Sequence, residues 1–154
     1  DKTYIETQSK KEFTEKINDS NKMNQKIIYE NLNFIDAIKI CLNKYAVFNG
    51  RARRSEYWYF ILFIWVSALL LGFIEGFSGS FAYTNQSVFA IIFEIAIFIP
   101  GLAVTARRLH DVNKSGWWQL IAITLIGIIP LVIWMATEGT KKNNPYGKPI
   151  KIKN

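Results

Sequence analysis

The sequence predicts an all-α, polytopic membrane protein in which an amphipathic interfacial helix precedes three transmembrane helices. Three apolar runs predict this fold, and they cover residues 57–74, 87–105 and 117–136. A bilayer core of roughly 30 Å is crossed by about 20 apolar residues in an α-helix, so each run is long enough to span it. Arginines border the first two runs, as is typical of membrane spans.

Composition excludes several other classes of protein. The net charge of +7 lies entirely in residues 31–154, because acidic and basic residues balance in the first thirty. The basic residues border the apolar runs, so we expect contact with anionic lipids and no nucleic-acid partner. A single cysteine, Cys41, and a single histidine, His110, allow no internal disulfide, and we expect no metal site and no cofactor.

The N-terminal part divides into a polar arm, residues 1–23, and an amphipathic stretch, residues 24–48. A capping box at Ser9 and Glu12 predicts a short helix over residues 10–17, although too few apolar residues follow for it to fold alone. Residues 1–48 are a candidate surface for a cytosolic protein partner. The amphipathic stretch has one apolar face, listed in order as Ile28, Leu32, Ile35, Ile38, Leu42 and Tyr45.

Helical spacing of that apolar face, beside basic residues, favours a helix lying in the membrane interface. A soluble helix packed against the arm is the alternative.

The transmembrane domain is predicted over residues 49–137. At the start of the first span, Tyr57 and Trp58 are expected to anchor the helix at headgroup depth, as are Trp117 and Trp118 at the start of the third. The linker 75–86 has no Lys or Arg, which favours the non-cytoplasmic side. A loop over residues 106–116 then returns to the side of the first arginines, and Pro100 predicts a kink before it.

The third run leaves two topologies open. A single crossing would place the basic tail, residues 138–154, opposite the arginines, against the positive-inside rule. A re-entrant segment broken between Gly127 and Pro130 would return the tail to the arginine side. The length of the run, 20 residues, favours three true spans.

Two motifs resemble a known family. The segment Phe48-Asn-Gly-Arg-Ala-Arg-Arg-Ser-Glu-Tyr-Trp58 precedes the first span, and Arg107-Arg-Leu-His-Asp111 with Lys114-Ser-Gly-Trp-Trp118 follows the second. Together they are similar to the small bacterial inner-membrane proteins of domain-of-unknown-function family 805, over roughly residues 34–147. The tail resembles the closing motif of that family, with Pro145 where the family usually has arginine. The resemblance implies a multi-pass inner-membrane protein and carries no established activity.

Charged residues at one membrane border form the first candidate site. The basic members are Arg51, Arg53, Arg54, Arg107 and Arg108, and the acidic members are Glu56 and Asp111. One interpretation is structural, with arginines that set topology and acids that pair with them. The other is an anion site, in which forked hydrogen bonds hold a lipid phosphate or a phosphorylated ligand.

A carboxyl group within the second span is the second candidate. Glu94 lies near the middle of an apolar run, where an ionisable residue marks an ion path, a relay or a helix–helix contact. No Lys, Arg or His lies in the other two spans, so a copy of itself in a homo-oligomer is one expected partner.

These observations predict a non-enzymatic membrane module that associates with lipid or with a partner protein. A histidine next to an aspartate, His110 and Asp111, invites a general-base interpretation. Adjacent helical residues point about 100° apart, however, and no nucleophile is placed to use them. The alternative function is an oligomeric channel or transporter subunit with Glu94 in its path.

Overall fold

The computed structural model describes residues 7–8, 10–20, 32–77 and 88–150, and these residues form helices and turns without a strand. The chain divides into two units, Asp1–Leu32 and Asn33–Asn154. In the first unit, helix α1 covers residues 10–20. The predicted helix over residues 10–17 is therefore confirmed and extends to residue 20. Residues 7–8 before the predicted start are also helical, whereas Ser9 of the capping box lies outside the described residues.

Residues 33–77 and 88–150, the described part of the second unit, contain four α-helices and two 3₁₀ segments. In chain order they are α2 (Phe34–Asn43), α3 (Arg54–Phe77), α4 (Val88–Asp111), the 3₁₀ segments Gly116–Ile123 and Leu125–Gly127, and α5 (Ile128–Ala136).

Helices α3 and α4 pack side by side in opposite directions. Arg107 near the end of α4 pairs with Glu56 near the start of α3, and Gly101 lies beside Ile64. Each helix contains a stretch long and apolar enough to cross a membrane, Arg54–Ile74 and Ala90–Asp111. Two of the three predicted spans thus have the required length and composition, and α4 continues past the predicted end at residue 105.

Helix α2 packs against α3 with a face that the sequence pattern does not mark. Asn33 caps its start by accepting a 2.8 Å hydrogen bond from the Asp36 amide. The buried side chains are Ala37 and Cys41, one turn apart. Ile35 and Leu42, from the predicted apolar face, remain exposed, so that face is left for contact with something outside this unit. The predicted residues 24–31 lie outside the described residues.

The third apolar run does not form one helix, so the predicted third crossing is not confirmed. Its longest helix, α5, has 9 residues, and at 1.5 Å per residue it covers roughly half of a bilayer core. Gly127 permits the break, because a Cβ there would overlap the backbone carbonyl of Ile121. The Thr124 hydroxyl caps the turn by accepting from the Gly127 amide.

Both ends of this broken segment lie at the same end of α4. At its start, a Cβ on Gly116 would come within 2.9 Å of the Ala106 side chain. At its end, the Arg108 Nε donates a 3.1 Å hydrogen bond to the carbonyl of Met135. The chain therefore turns back, and the tail lies at the arginine end of α4.

Candidate functional site

A buried ion-pair cluster joins the ends of α3 and α4. Arg51 contacts Asp111 at 2.7 Å, Arg108 pairs with the other oxygen of the same carboxylate, and Arg107 pairs with Glu56 at 2.7 Å. All five side chains are at least nine-tenths buried. The two acidic residues predicted as ion-pair partners therefore do pair, and the arginines of both motifs meet, because α4 stays helical through Asp111 instead of opening into a loop at residue 106.

Burial also raises the pKa of the Cys41 thiol, which lies beside this cluster. The Cys41 Sγ lies 4.0 Å from a carboxylate oxygen of Glu56. Burial, with the negative charge of Glu56 as the second cause, raises the pKa of Cys41 to about 12. Burial therefore favours the neutral thiol over the thiolate, which is the nucleophilic form.

Two arginines also bind the tail through its backbone. Arg51 donates to the carbonyls of Thr140 and Lys142, the latter at 3.1 Å. Arg108 donates to the carbonyl of Thr137 as well as to that of Met135. Because charged donors make strong hydrogen bonds, these contacts fix the tail against the ends of α3 and α4.

A glycine allows the tail to lie this close to Asp111. A Cβ on Gly139 would overlap the Asp111 carboxylate, so a residue without a side chain is required there. Thr140, the next residue, donates its amide to the Asp111 carbonyl at 2.9 Å. The tail is therefore packed directly on the buried cluster.

The closing motif of the tail, residues 144–147, packs against His110. The Asn144 amide group donates a 2.8 Å hydrogen bond to the His110 carbonyl, and Tyr146 stacks on the His110 ring at 3.8 Å between centroids. Gly147 adopts a φ of 132°, which favours glycine. The ring's Nδ1 lies 3.1 Å from the Gly50 carbonyl, so His110 contacts both the chain before α3 and the tail. Pro145 lies in the turn between Asn144 and Gly147.

A cavity of about 850 Å³ opens beside the buried cluster. Its polar lining includes Arg53, Arg54 and Lys141, together with the acidic Glu138. The full lining is Arg51, Arg53, Arg54, Ser55, Asp111, Glu138, Gly139, Thr140, Lys141, Pro149 and Ile150. Four basic side chains thus face two acidic ones, and Asp111 is already shared by two arginines. The cavity therefore carries excess positive charge.

The tail supplies much of the cavity wall. Arg53 donates to the Ile150 carbonyl at 3.2 Å, and Arg54 donates to the Ala136 carbonyl at 3.4 Å while its side chain remains exposed. Both guanidinium groups thus lie between α3 and the chain that follows α5. Arg54 presents an exposed guanidinium group, and such a group can bind an oxyanion through paired N–H donors.

The structure separates the predicted arginines into two groups. Arg107 and Arg108 are buried and do not line the cavity, whereas Arg53 and Arg54 do. Arg51 belongs to both the cavity and the buried cluster. Lys141 and Glu138 were not singled out from the sequence, because the predicted third crossing placed them on the opposite side of the membrane.

The remaining predicted residues lie away from the cavity. Trp117 and Trp118 are exposed at the start of the broken segment, and Tyr57 and Trp58 lie in the first turn of α3, where their rings contact each other. Glu94 is exposed on α4, far from the arginines along the chain. Among the residues that the structure describes, no group of three His, Cys, Asp or Glu side chains is placed to hold a metal ion.

Two helices with the length and composition of membrane spans, joined by a buried arginine–carboxylate cluster, fit a helical membrane protein, and comparison with known proteins supports this class. Inner membrane protein YhaH of Escherichia coli K12 is 36% identical over 112 residues, which cover 72% of this chain and 93% of that protein. Inner membrane protein YhaI of the same strain is also 36% identical over 112 residues, with 72% and 92% covered. No solved structure matches the chain.

A family model described as "Protein of unknown function (DUF805)" matches residues 45–148, and this chain belongs to that family. The resemblance found in the sequence is thereby confirmed. The names of the relatives support an integral membrane protein of the inner membrane with uncharacterised activity.

Proposed function

We propose that this protein is a non-enzymatic membrane module that holds the phosphate of an anionic lipid headgroup in the arginine-lined cavity. The observation that carries the proposal is the position of Arg53, Arg54 and Lys141 around one cavity at the polar end of α3. Guanidinium groups bind phosphate oxygens through paired hydrogen bonds, and an ammonium group adds a point charge.

The depth of the cavity favours a lipid as the source of the phosphate. Arg54 begins α3, and Trp58 follows one turn later with an exposed ring. Tryptophan prefers the membrane–water interface, so this arrangement supports a cavity at headgroup depth. A lipid phosphate would enter from the membrane plane, with its acyl chains beside the exposed apolar side chains of α3.

The proposed topology has two crossings and one re-entrant segment. Helices α3 and α4 cross the bilayer, residues 116–136 enter and leave on the arginine side, and the basic tail follows on that side. This arrangement removes the conflict with the positive-inside rule, because the tail lysines and the arginines then share the cytoplasmic border. The exposed apolar face of α2 would lie on the same interface.

The non-enzymatic character is supported by the roles of the reactive side chains. Cys41 is buried with a raised pKa, and His110 is bound to Gly50 and stacked on Tyr146. Neither group is positioned to attack a substrate in the cavity.

A cytosolic partner for residues 1–48 stays a prediction. So does a channel with Glu94 in its path, which would need several copies because this side chain lies on the outer surface of α4.

Native mass spectrometry with defined lipids tests the proposal. The protein is released from detergent with phosphatidylglycerol, phosphatidic acid or phosphatidylethanolamine, and the double variant Arg53→Gln/Arg54→Gln is compared with the wild type. Because each charge-assisted hydrogen bond contributes about 1.5–3 kcal/mol, we expect at least a roughly tenfold loss of affinity for the anionic lipids. Lys39→Gln, an exposed substitution on α2 outside the cavity lining, is the control and should bind as the wild type does.

Soluble glycerol 3-phosphate distinguishes a lipid from a free phosphate ligand. We expect it to compete only weakly, because it lacks acyl chains to pack on α3. Tight binding of the soluble compound without lipid binding would replace the lipid by a phosphorylated metabolite. Unchanged lipid binding by the double variant would refute the cavity as the site.

A further inference from the structure

The outer surface of α4 carries a carboxyl group without a partner in the described part of the chain. Glu94 is exposed, and the described residues offer it neither a hydrogen bond nor an ion pair. Its neighbours on the surface are apolar, with Ile91, Ile95 and Phe98 also exposed. A carboxyl group is thus surrounded by side chains suited to lipid.

The depth of Glu94 makes contact with lipid alone costly. It precedes Arg107 by 13 residues, and at 1.5 Å per residue it lies roughly 20 Å along α4 from the arginine border. That distance puts it well inside a hydrocarbon core of roughly 30 Å. Polar groups at such depth face other protein groups or water, because hydrocarbon satisfies no hydrogen bond.

We propose that Glu94 lies at the centre of an interface between two copies of this chain in the membrane. A neutral carboxylic acid has one donor and free acceptor capacity, so two of them pair with each other. A twofold axis parallel to the membrane normal places equivalent residues of two copies opposite one another at equal depth.

The apolar runs favour a second copy as the occupant. Residues 57–74 and 117–136 contain no Asp, Glu, Lys, Arg or His, so another copy offers Glu94 as its ionisable group at this depth. This interface is independent of the arginine-lined cavity, which lies at the end of α4.

Cysteine cross-linking tests the geometry in membranes. In a Cys41→Ala background, single cysteines replace Ile91 or Phe98, which lie within roughly 60° of Glu94 around the helix, or Ile92 or Ile99, which lie roughly 140–160° away. All four positions are exposed apolar residues, so the second pair is a matched control. We expect disulfide-linked dimers from Ile91→Cys and Phe98→Cys, and few from Ile92→Cys and Ile99→Cys.

Energy transfer between labelled copies in liposomes then measures the contribution of the carboxyl group. Glu94→Leu should weaken dimerisation by roughly 3- to 30-fold, the effect of one interhelical hydrogen bond in a membrane. Glu94→Gln should dimerise nearly as the wild type does, because a carboxamide also donates and accepts.

Three results would overturn the proposal. They are a wild-type protein that stays monomeric at every lipid dilution, equal cross-linking at all four cysteine positions, and a Glu94→Leu variant that dimerises as tightly as the wild type. A monomeric wild type would indicate that a different membrane protein covers this face of α4. Equal cross-linking at all four positions would indicate random collision.

Discussion

The Tyr45 hydroxyl donates a 2.8 Å hydrogen bond to the backbone carbonyl of Ala96 in α4. Pro100 follows four residues later within the same helix and has no N–H to donate to that carbonyl. The phenol therefore satisfies the acceptor that the proline leaves unpaired. This contact also joins the chain after α2 to the middle of α4. The tyrosine therefore compensates for the hydrogen bond that the proline cannot make.

Removal of the Tyr45 hydroxyl should destabilise the protein. We expect Tyr45→Phe to lower the free energy of unfolding by about 1 kcal/mol, because the Ala96 carbonyl loses its donor. Thermal or denaturant unfolding in detergent measures the change. In a Pro100→Ala background the residue 100 amide can donate to Ala96, so Tyr45→Phe should cost less there. An equal loss of stability in both backgrounds would show that the Tyr45 hydrogen bond does not depend on the missing amide of Pro100.

Loss of the shared carboxylate should have the largest effect of any single charge change. Asp111→Asn leaves Arg51 and Arg108 buried without a counter-charge, and we expect a loss of about 3–5 kcal/mol of stability. The readout is the unfolding midpoint together with the yield of monodisperse protein. Glu12→Gln, which breaks the exposed pair with Lys16, is the control and should leave both unchanged. A stable Asp111→Asn protein would show that the arginines do not need this carboxylate.

A side chain at position 139 should displace the tail. In Gly139→Ala the added methyl group overlaps the Asp111 carboxylate, so residues 138–150 must move away from the buried cluster. We expect faster proteolysis of the tail and weaker binding at the cavity, whose wall the tail forms. Gly72→Ala on α3 is the matched control, since a Cβ there meets nothing within 4 Å. Equal protease resistance of the two variants would contradict the tail packing.

The buried thiol predicts a specific pH dependence. Burial raises the pKa of Cys41 to about 12, so the folded chain keeps a proton that the unfolded chain releases near pH 9. This contribution to stability is complete below pH 9 and is lost as the pH rises towards 12. We expect maleimide to leave Cys41 unmodified in the folded protein at pH 7–8 and to react quickly after denaturation. An engineered cysteine at the exposed Asn43, in a Cys41→Ala background, should react quickly in both states. Fast labelling of folded wild type would show that the thiol is accessible.

The sequence predicted the helical membrane class and both long spans, because apolar runs of sufficient length have few alternative structures. It also predicted Glu56 and Asp111 as partners of the arginines. It could not choose the path of the third run, since length alone favours one crossing, whereas the break depends on the close approach of Gly127 to Ile121. The packed face of α2 was missed for a related reason. Ala37 and Cys41 are small and mark no stripe, and the larger apolar residues point elsewhere.

The candidate site followed the same pattern. The positions of Arg53 and Arg54 near a polar border were predictable from the motif before the first span. The cavity itself was not, because half of its wall comes from the tail, whose side of the membrane depends on the broken segment. The burial of Arg107 and Arg108 could not be predicted either, because the sequence suggested a loop where α4 continues.

Cysteine accessibility across the membrane is the most direct test, because the cavity exists only if residues 51–54 and the tail lie on the same side. In a Cys41→Ala background, single cysteines replace Arg54 and Lys141, and an impermeant maleimide is added to oriented vesicles before and after permeabilisation. We predict that both positions label from the same side. Labelling of Lys141→Cys from the side opposite Arg54→Cys would restore a third crossing, separate the two halves of the cavity and contradict the proposed headgroup site.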